Sequence, residues 1–528
     1  MTTAWDQRLG FWWIAEDHPD SPAILAGPDG ARTYAELAGD ANQLVHLFRS
    51  LGAMPGDAIA AIVDNGTTLI EVSLACQQAG YYFIPLNTHL TAFELAAIMT
   101  HSGAKVLIAG ERFAAQLADI DPALDAPLDL AVLAVGTIDG IRSLAEARAS
   151  HPRTAPDDRT PGGLFVYTSG TTGQPKGIRR PLPEGDIGEV ANKAALFGRA
   201  FDFRPFDGPM LVSTGMFHGG SHSFFMGGLN VGQALVIMAK FDPEETLRLI
   251  ERHAVRTAYM VPTQFHRFLK LPDDVRTKYD TSSLHAVVHS AAPCPRPVKE
   301  AMLAWWGPVI WETYGGMEGP ATIAKPHRWL EKPGTVGRAI RGVRLSVLDD
   351  DGLELGPGEV GNIYMENDVG FVYHGDPEQT SAAFKGKRFS LGDVGHLDAD
   401  GYLFISDRAK DMIITGGTNV YPAEIEAALL EHPRVADVAV IGIPDPDWGE
   451  SIVAVVEPTA FGAGDSPDAL ADQLLAFCKD RLASYKRPRA IHFRADLPRT
   501  EAGKLAKQPL RDELAAAARQ GGHCEAGE

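Results

Sequence analysis

From residue 56 the chain alternates short apolar runs with amphipathic stretches, in the order GDAIAAIVDN, LIEVSLACQQAG, YYFIPLN, LTAFELAAIMTHSGA and KVLIA. Read as strand, helix, strand, helix, strand, this alternation predicts a parallel sheet covered by helices. The pattern resumes with ALVIMA, DPEETLRLIERHA, TAYMV, PTQFHRFLKL, HAVVHS, PRPVKEAMLAWW and PVIW, so two α/β units share one large N-terminal region. No short-period repeat suggests a solenoid.

Between about 334 and 405 the text changes to Gly-rich, β-branched segments such as GTVGRAI, VRLSVLDDDG, GEVGNIYME and GYLFIS, which predict an antiparallel β subdomain. After Ile414, TGGTN leads into PAEIEAALLEH, where Pro422 suits a first helical turn and Ile425, Ala428 and Leu429 share a face. Two strand-like runs, VADVAVIGI and SIVAVVE, and a helix carrying Leu470, Leu474, Phe477 and Leu482 complete a compact unit. The expected fold is a large N-terminal α/β domain, residues 1–409, made of two α/β subdomains plus a β subdomain. A small α+β C-terminal domain, 410–528, follows it.

The 528 residues are too many for one small binding module, and 45% hydrophobic with 22% charged residues is the composition of a chain that buries large cores. The net charge of −20 argues against a general nucleic-acid binder or a protein of anionic membrane surfaces, since both would repel most of the surface. A local basic pocket for an anionic ligand stays compatible with it. Cys76, Cys294, Cys478 and Cys524 show no CxxC spacing, which suggests neither a disulfide framework nor a zinc site and fits a reducing cytoplasm. The N-terminal FWWIA patch lacks the basic flank of a secretory signal, and no run of about 18 apolar residues could span a bilayer. The expectation is a cytoplasmic protein without a membrane span.

The most informative stretch is YTSGTTGQPKG, Tyr167 to Gly177, directly after the apolar GGLFV. Gly170, Gly173 and Gly177 free the backbone to curl, Thr168, Ser169, Thr171 and Thr172 offer hydroxyls, and Lys176 a cation. Such a loop can wrap a polyphosphate with backbone N–H groups and hydroxyls. It lacks the Walker spacing, since Pro175 stands five positions after Gly170, so the chain is no P-loop NTPase. A polar surface turn is the bland alternative, and a poor one for eleven residues of this composition.

This string resembles the signature of the adenylate-forming superfamily, which comprises acyl-CoA and aryl-CoA synthetases, peptide-synthetase adenylation domains and firefly-type luciferases. Further segments resemble that family in the expected order: MFHGG at 216–220, SAAP at 290–293, YGGME at 314–318, LGD at 391–393, DRAKDMI at 407–413, GGTNVYPAEIE at 416–426 and LPRTEAGKL at 497–505. The resemblance implies a large domain and a small mobile one with the active site between them, and ATP, Mg2+ and coenzyme A as cofactor or co-substrates. It implies that a small-molecule carboxylic acid attacks the α-phosphorus of ATP and that a nucleophile, most often the coenzyme A thiol, then displaces AMP.

By the same resemblance Lys504 is the catalytic lysine of adenylation, and Glu318, with Thr172, holds magnesium. Tyr314 flanks adenine, Asp393 binds the ribose hydroxyls and Arg408 adds a second nucleotide contact. Lys410 is the hinge, with Gly416 and Gly417 on the face used in the second step. His218 joins the catalytic candidates, on the wall between acyl pocket and thiol tunnel, with Phe217, Gly315, Gly316 and Met317 beside it as substrate pocket. Each has a plainer alternative: an exposed turn lysine for Lys504, a turn former for Asp393, a surface ion pair for Arg408 and a core histidine for His218. The spacing of His218 and His222 could bind zinc on a helix, but Gly219 and Gly220 between them disfavour it. Met216, Phe217, Phe224, Phe225 and Met226 form a cluster that lines the pocket or, more simply, is core.

One position departs from the family pattern, which usually has Thr just before the magnesium-binding Glu, where this chain has Met317. The loss of a hydroxyl donor, on the order of 1 kcal/mol, leaves two readings: another donor substitutes, or Met317 faces the acid. The leading expectation is an acyl-CoA or aryl-CoA ligase. The alternative is the same adenylation with another acceptor, a carrier-protein thiol, an amine, or nitrite as in diazotising relatives; a carrier protein enters only there. A luciferase-like oxygenase shares these motifs, a non-catalytic nucleotide-binding protein is disfavoured by Lys504, Glu318 and Asp393, and a homodimer is left open.

Overall fold

The computed structural model describes residues 5, 7–118, 120, 130–169, 175–408, 411–415, 418–445, 449–459, 466–479, 481–482, 484–499 and 505–521. Among these, three sheets organise the chain.

The first sheet is built where the sequence alternation begins. Ala58–Ile62, Tyr82–Pro85, Val106–Gly110 and Ala131–Val135 run parallel, with the helices Thr67–Gln78 and Ala92–Ser102 as crossovers. Gly163–Ser169 joins them in parallel beside Tyr82–Pro85, then turns back as Pro175–Arg179. The strand Val372–Tyr373, some two hundred residues on, closes this edge by pairing with Pro175–Arg179.

The second sheet starts parallel, with Leu235–Ile237, Met210–Val212, Thr257–Met260, Ala286–His289 and Ile310–Gly316 as neighbours. The chain then reverses, and Gly319–Ala324, Gly337–Ala339, Tyr402–Arg408, Asp393–Leu397 and Gly361–Glu366 continue it antiparallel. The β region anticipated at 334–405 is thus antiparallel and is joined edge to edge with the second α/β unit. One hydrophobic core unites the two α/β units: Ile59 and Ile108 of the first sheet and Val212 and Val288 of the second belong to it. The helix Thr67–Gln78 is buried nearly all round, its polar Glu71, Ser73 and Gln78 included, and its Leu69, Ile70, Val72, Leu74, Ala75 and Cys76 join that core.

The third sheet pairs Val435–Asp445 with Gly449–Pro458 and adds Ile413–Thr415, Thr418–Val420 and Ala490–Phe493. Pro422 opens the helix Pro422–Leu430, whose Ile425 and Leu429 are buried. In the helix Pro467–Lys479 the buried face is Leu470, Leu474 and Cys478. These stand at i, i+4 and i+8, so the stripe passes through Cys478 rather than Phe477. Phe477 lies beside it, with the Arg481 guanidinium 3.6 Å from its ring centroid. No helix among the described residues is long and apolar enough to cross a membrane.

Candidate active site

The carboxyl ends of the second sheet's parallel strands supply the side chains that converge, as expected for an open α/β sheet. After Met210–Val212 comes the segment Ser213–His218, after Ala286–His289 comes Ser290, and Ile310–Gly316 ends in a tight hairpin. In that hairpin Gly316 faces Gly319, which leaves Met317 and Glu318 as its two tip residues. The crowding explains the glycines. A Cβ on Gly315 would lie 2.7 Å from the Gly319 carbonyl oxygen, and one on Gly316 would lie 2.5 Å from a Glu318 carboxylate oxygen.

Two polar groupings flank the tip. Tyr314 Oη donates a hydrogen bond to Asp393 Oδ2 at 2.7 Å, and Asp393 is 5% exposed. Across the next rung Asp393 pairs with Arg408, whose backbone is described but whose side chain is not. On the other side Tyr373 Oη donates to Glu318 Oε1 at 3.0 Å, and the Lys176 ammonium sits 3.2 Å from the centroid of the Tyr373 ring. Burial lowers the Lys176 pKa from its ordinary value, opposed by the Glu318 and Asp376 carboxylates, while burial and Glu318 together raise that of Tyr373. The site therefore joins a cation, a ring and a carboxylate drawn from three distant segments.

Lys176 is held there by the hairpin of Gly163–Ser169 and Pro175–Arg179, in which Thr168 pairs with Lys176 and Ser169 with Pro175. Gly177 is required because the rings of Phe165 and Tyr167 cross it: a Cβ would meet Phe165 Cε2 at 2.7 Å. Gly170, Thr171, Thr172 and Gly173 lie outside the described residues, and Thr168 and Ser169 are described in backbone only. Lys410, Lys504, Gly416 and Gly417 also lie outside them. The segment that carries Lys504 is closed at its base by a bridge between Arg499 and Leu505 and by Ala506 N–H donating to Pro498 O at 2.8 Å. An Arg499–Asp437 ion pair and the buried Leu497 fix that base to the third sheet.

His218 stands at the N-cap position of the helix Gly219–Asn230, its ring 4.3 Å from that of Phe217. Met317 lies against the same helix end, for a Cβ on Gly219 would fall 2.3 Å from Met317 Sδ. His218, Phe217, Gly219 and Met317 are thereby brought together. Met216, Phe224, Phe225 and Met226 are buried in the shared core. His222 is buried as well and meets Ser73 Oγ at 2.7 Å, and burial pushes its pKa down to about 3.

Two residues of this region carry no motif. Asn65 comes from the first α/β unit; its Nδ2 donates to Thr214 O at 2.9 Å and Met238 O at 3.0 Å, and its Oδ1 accepts from Met216 N–H at 2.8 Å. It fixes the segment that presents Phe217 and His218. Tyr373 reaches Glu318 only because its strand pairs with Pro175–Arg179. Neither pairing has a local signal in the sequence.

Residues 11–371 match the AMP-binding enzyme family, and residues 424–504 match the AMP-binding enzyme C-terminal domain. The chain belongs to the AMP-binding enzyme family. A relative in Mycobacterium tuberculosis, the long-chain-fatty-acid–CoA ligase FadD13, is 32% identical over 521 residues, covering 96% of this chain and 98% of its own. A feruloyl-CoA synthase of an Amycolatopsis species is 34% identical over 527 residues, 96% and 99% of the two chains. Among solved structures, the anthranilate CoA ligase AuaEII in complex with anthranoyl-AMP superposes with a TM-score of 0.85 at 25% identity, covering 98% of this chain and all of that one. The resemblance drawn from the motifs is thereby borne out, as is the expected fold class.

Proposed function

We propose that this enzyme joins a small-molecule carboxylic acid to the α-phosphorus of ATP, forming the acyl adenylate with release of pyrophosphate, and then passes the acyl group to the coenzyme A thiol, releasing AMP. The observation that carries the reading is the convergence of Tyr314–Asp393 and Lys176–Tyr373–Glu318 on one hairpin tip, Lys176 being the cation that closes the Gly- and Thr-rich motif in sequence. Both groupings suit ATP. The two oxygens of Asp393 suit a vicinal diol, and Lys176 offers positive charge where an anionic carboxylate meets an anionic phosphate. Glu318 supplies the hard carboxylate donor that magnesium prefers, with Thr172 as a second oxygen donor. Magnesium, when bound, would neutralise charge on the phosphates.

Lys504 is assigned to the charge that develops during adenylation, Arg408 to a further nucleotide contact and His218 to the boundary between acid and thiol. The division at 1–409 and 410–528, with Lys410 as hinge, belongs to this proposal and supports the usual gating by domain rotation. A cytoplasmic setting, where ATP and coenzyme A are at hand, belongs to it too. In the deciding experiment, a panel of aromatic, cyclic and straight-chain acids is incubated with ATP and magnesium, and pyrophosphate release is followed with and without coenzyme A. We expect release for a subset of the acids and thioester only when the thiol is present. Release with no thioester from any acid would transfer the second step to another acceptor.

The position of Met317 against Gly219 supports the reading in which its thioether faces the acid rather than the phosphates. Met317→Thr is then expected to reorder the acid preference toward bulkier acids, because the shorter side chain opens the space above Gly219. A uniform rate change across the panel, with the ranking intact, would place position 317 at the phosphates instead.

A further inference from the structure

Beneath the hairpin that carries Tyr314 lies a buried charged cluster that the motifs do not include. Lys299, on the helix Arg296–Trp306, is fully buried, and its Nζ donates to Glu312 Oε2 at 2.5 Å. Glu312 is 7% exposed and belongs to the strand Ile310–Gly316. His289, fully buried at the end of the adjacent strand, places Nε2 3.5 Å from the same carboxylate oxygen, and among the described residues neither of its ring nitrogens has a hydrogen-bond partner. Trp329 covers the ammonium, its ring centroid 4.7 Å from Nζ. Burial raises the Glu312 pKa, opposed by Lys299, and burial followed by the Lys299 charge drives that of His289 well down.

Such a pair is a poor device for stability alone. The desolvation of two buried charges commonly matches or exceeds their attraction, so well-packed apolar side chains would hold the helix to the strand as firmly. The helix already has such side chains in Met302, Leu303 and Trp306, packed with Ile310 and Trp329. What a charge-assisted hydrogen bond adds is direction.

Its place on the strand matters for that reason. Side chains alternate across a strand, so Ile310, Glu312 and Tyr314 share a face, and Glu312 stands about 6.6 Å before Tyr314 along the chain. Register with the returning strand is regular through Tyr314 and shifts immediately after it. On the same stretch Ser290 Oγ donates to Thr313 O at 2.8 Å, and Thr313 Oγ1 to Thr322 O at 2.7 Å. The strand end is thus pinned from both sides just before the ring that meets Asp393.

We infer that the Lys299–Glu312 pair is a positioning element for nucleotide binding, which fixes the strand end so that Tyr314 is presented to Asp393 before ATP arrives. The inference rests on the nucleotide reading of Tyr314 and Asp393 given above. Its test is the double variant Lys299→Met with Glu312→Leu, which removes both charges at similar volume, measured for thermal unfolding, for direct ATP binding by calorimetric titration, and for steady-state kinetics. We expect an unfolding midpoint at or near that of the unaltered enzyme. ATP affinity should weaken and KM for ATP should rise by about tenfold, well short of the hundredfold that an ångström of misplacement can cost. KM for the acid and kcat at saturating ATP should stay within about twofold, because neither depends on a ring held only against the nucleotide.

Should the double variant yield no folded protein, Lys299→Met alone, which removes the hydrogen bond while the buried Glu312 carboxyl is free to neutralise by taking up a proton, is read by the same criterion. ATP affinity unchanged in a folded variant overturns the inference, as does an equal loss for ATP and acid, which marks a structural role only. If the unaltered enzyme itself takes up no ATP, the nucleotide reading fails first and the inference falls with it.

Discussion

Lys504→Ala is expected to lower the rate of pyrophosphate release by about 10²–10³, the scale seen when a single preorganised donor to developing charge is removed. ATP binding should stay within a few-fold, since a group that acts on the transition state contributes little to the ground-state complex. Two anions meet in this step, so a cation at the reacting centre has its largest effect as the new bond forms. The base of the segment bearing Lys504 is tied by the Arg499–Leu505 bridge and the Arg499–Asp437 ion pair, which remain in the variant. A general loss of structure is therefore not expected, and thermal unfolding should confirm it. Supplied with preformed acyl adenylate and coenzyme A, the variant should still make thioester at close to the normal rate. Near-normal pyrophosphate release would remove Lys504 from the mechanism, and equal loss in both half-reactions would assign it a structural part.

The parts of this fold legible in the sequence are those whose signals are local. The alternation of apolar runs from GDAIAAIVDN onward corresponds to real strands and helices because each element's pattern is set by its own face toward a sheet. Tyr314 and Asp393 are readable as candidates from their motifs, and the structure adds that they touch. What escaped sequence reading depends on pairings between distant segments. Tyr373 gains its place from a two-residue strand against Pro175–Arg179, and Asn65 from the contact of one α/β unit with the other. Lys299 and Glu312 look like surface charges in PRPVKEAMLAWW and WETYGG, since Lys and Glu are seldom buried unless paired. Only the packing of their helix on their strand reveals the pair.

Glu318→Gln should cost adenylation about 10²-fold or more and raise the magnesium concentration needed for half-maximal rate, because a neutral amide is a much weaker ligand for a hard cation. The change is nearly isosteric. The hairpin tip is crowded, with Gly316 leaving only enough room for the carboxylate, so the variant keeps the shape that those glycines accommodate. Tyr373 Oη now donates to Glu318 Oε1, and an amide oxygen can accept the same bond, so the tie between tip and strand persists. Tyr373→Phe isolates that tie: it removes the hydroxyl but leaves both the Glu318 charge and the ring beneath Lys176. Its expected cost is a few-fold, the scale of about 1 kcal/mol for one hydrogen bond, with the magnesium requirement little changed. Pyrophosphate release titrated against magnesium for the three proteins separates charge from geometry. If Glu318→Gln shows the unaltered enzyme's magnesium dependence, the carboxylate is not a metal donor; if Tyr373→Phe matches Glu318→Gln in rate and magnesium demand, orientation by Tyr373 outweighs the charge.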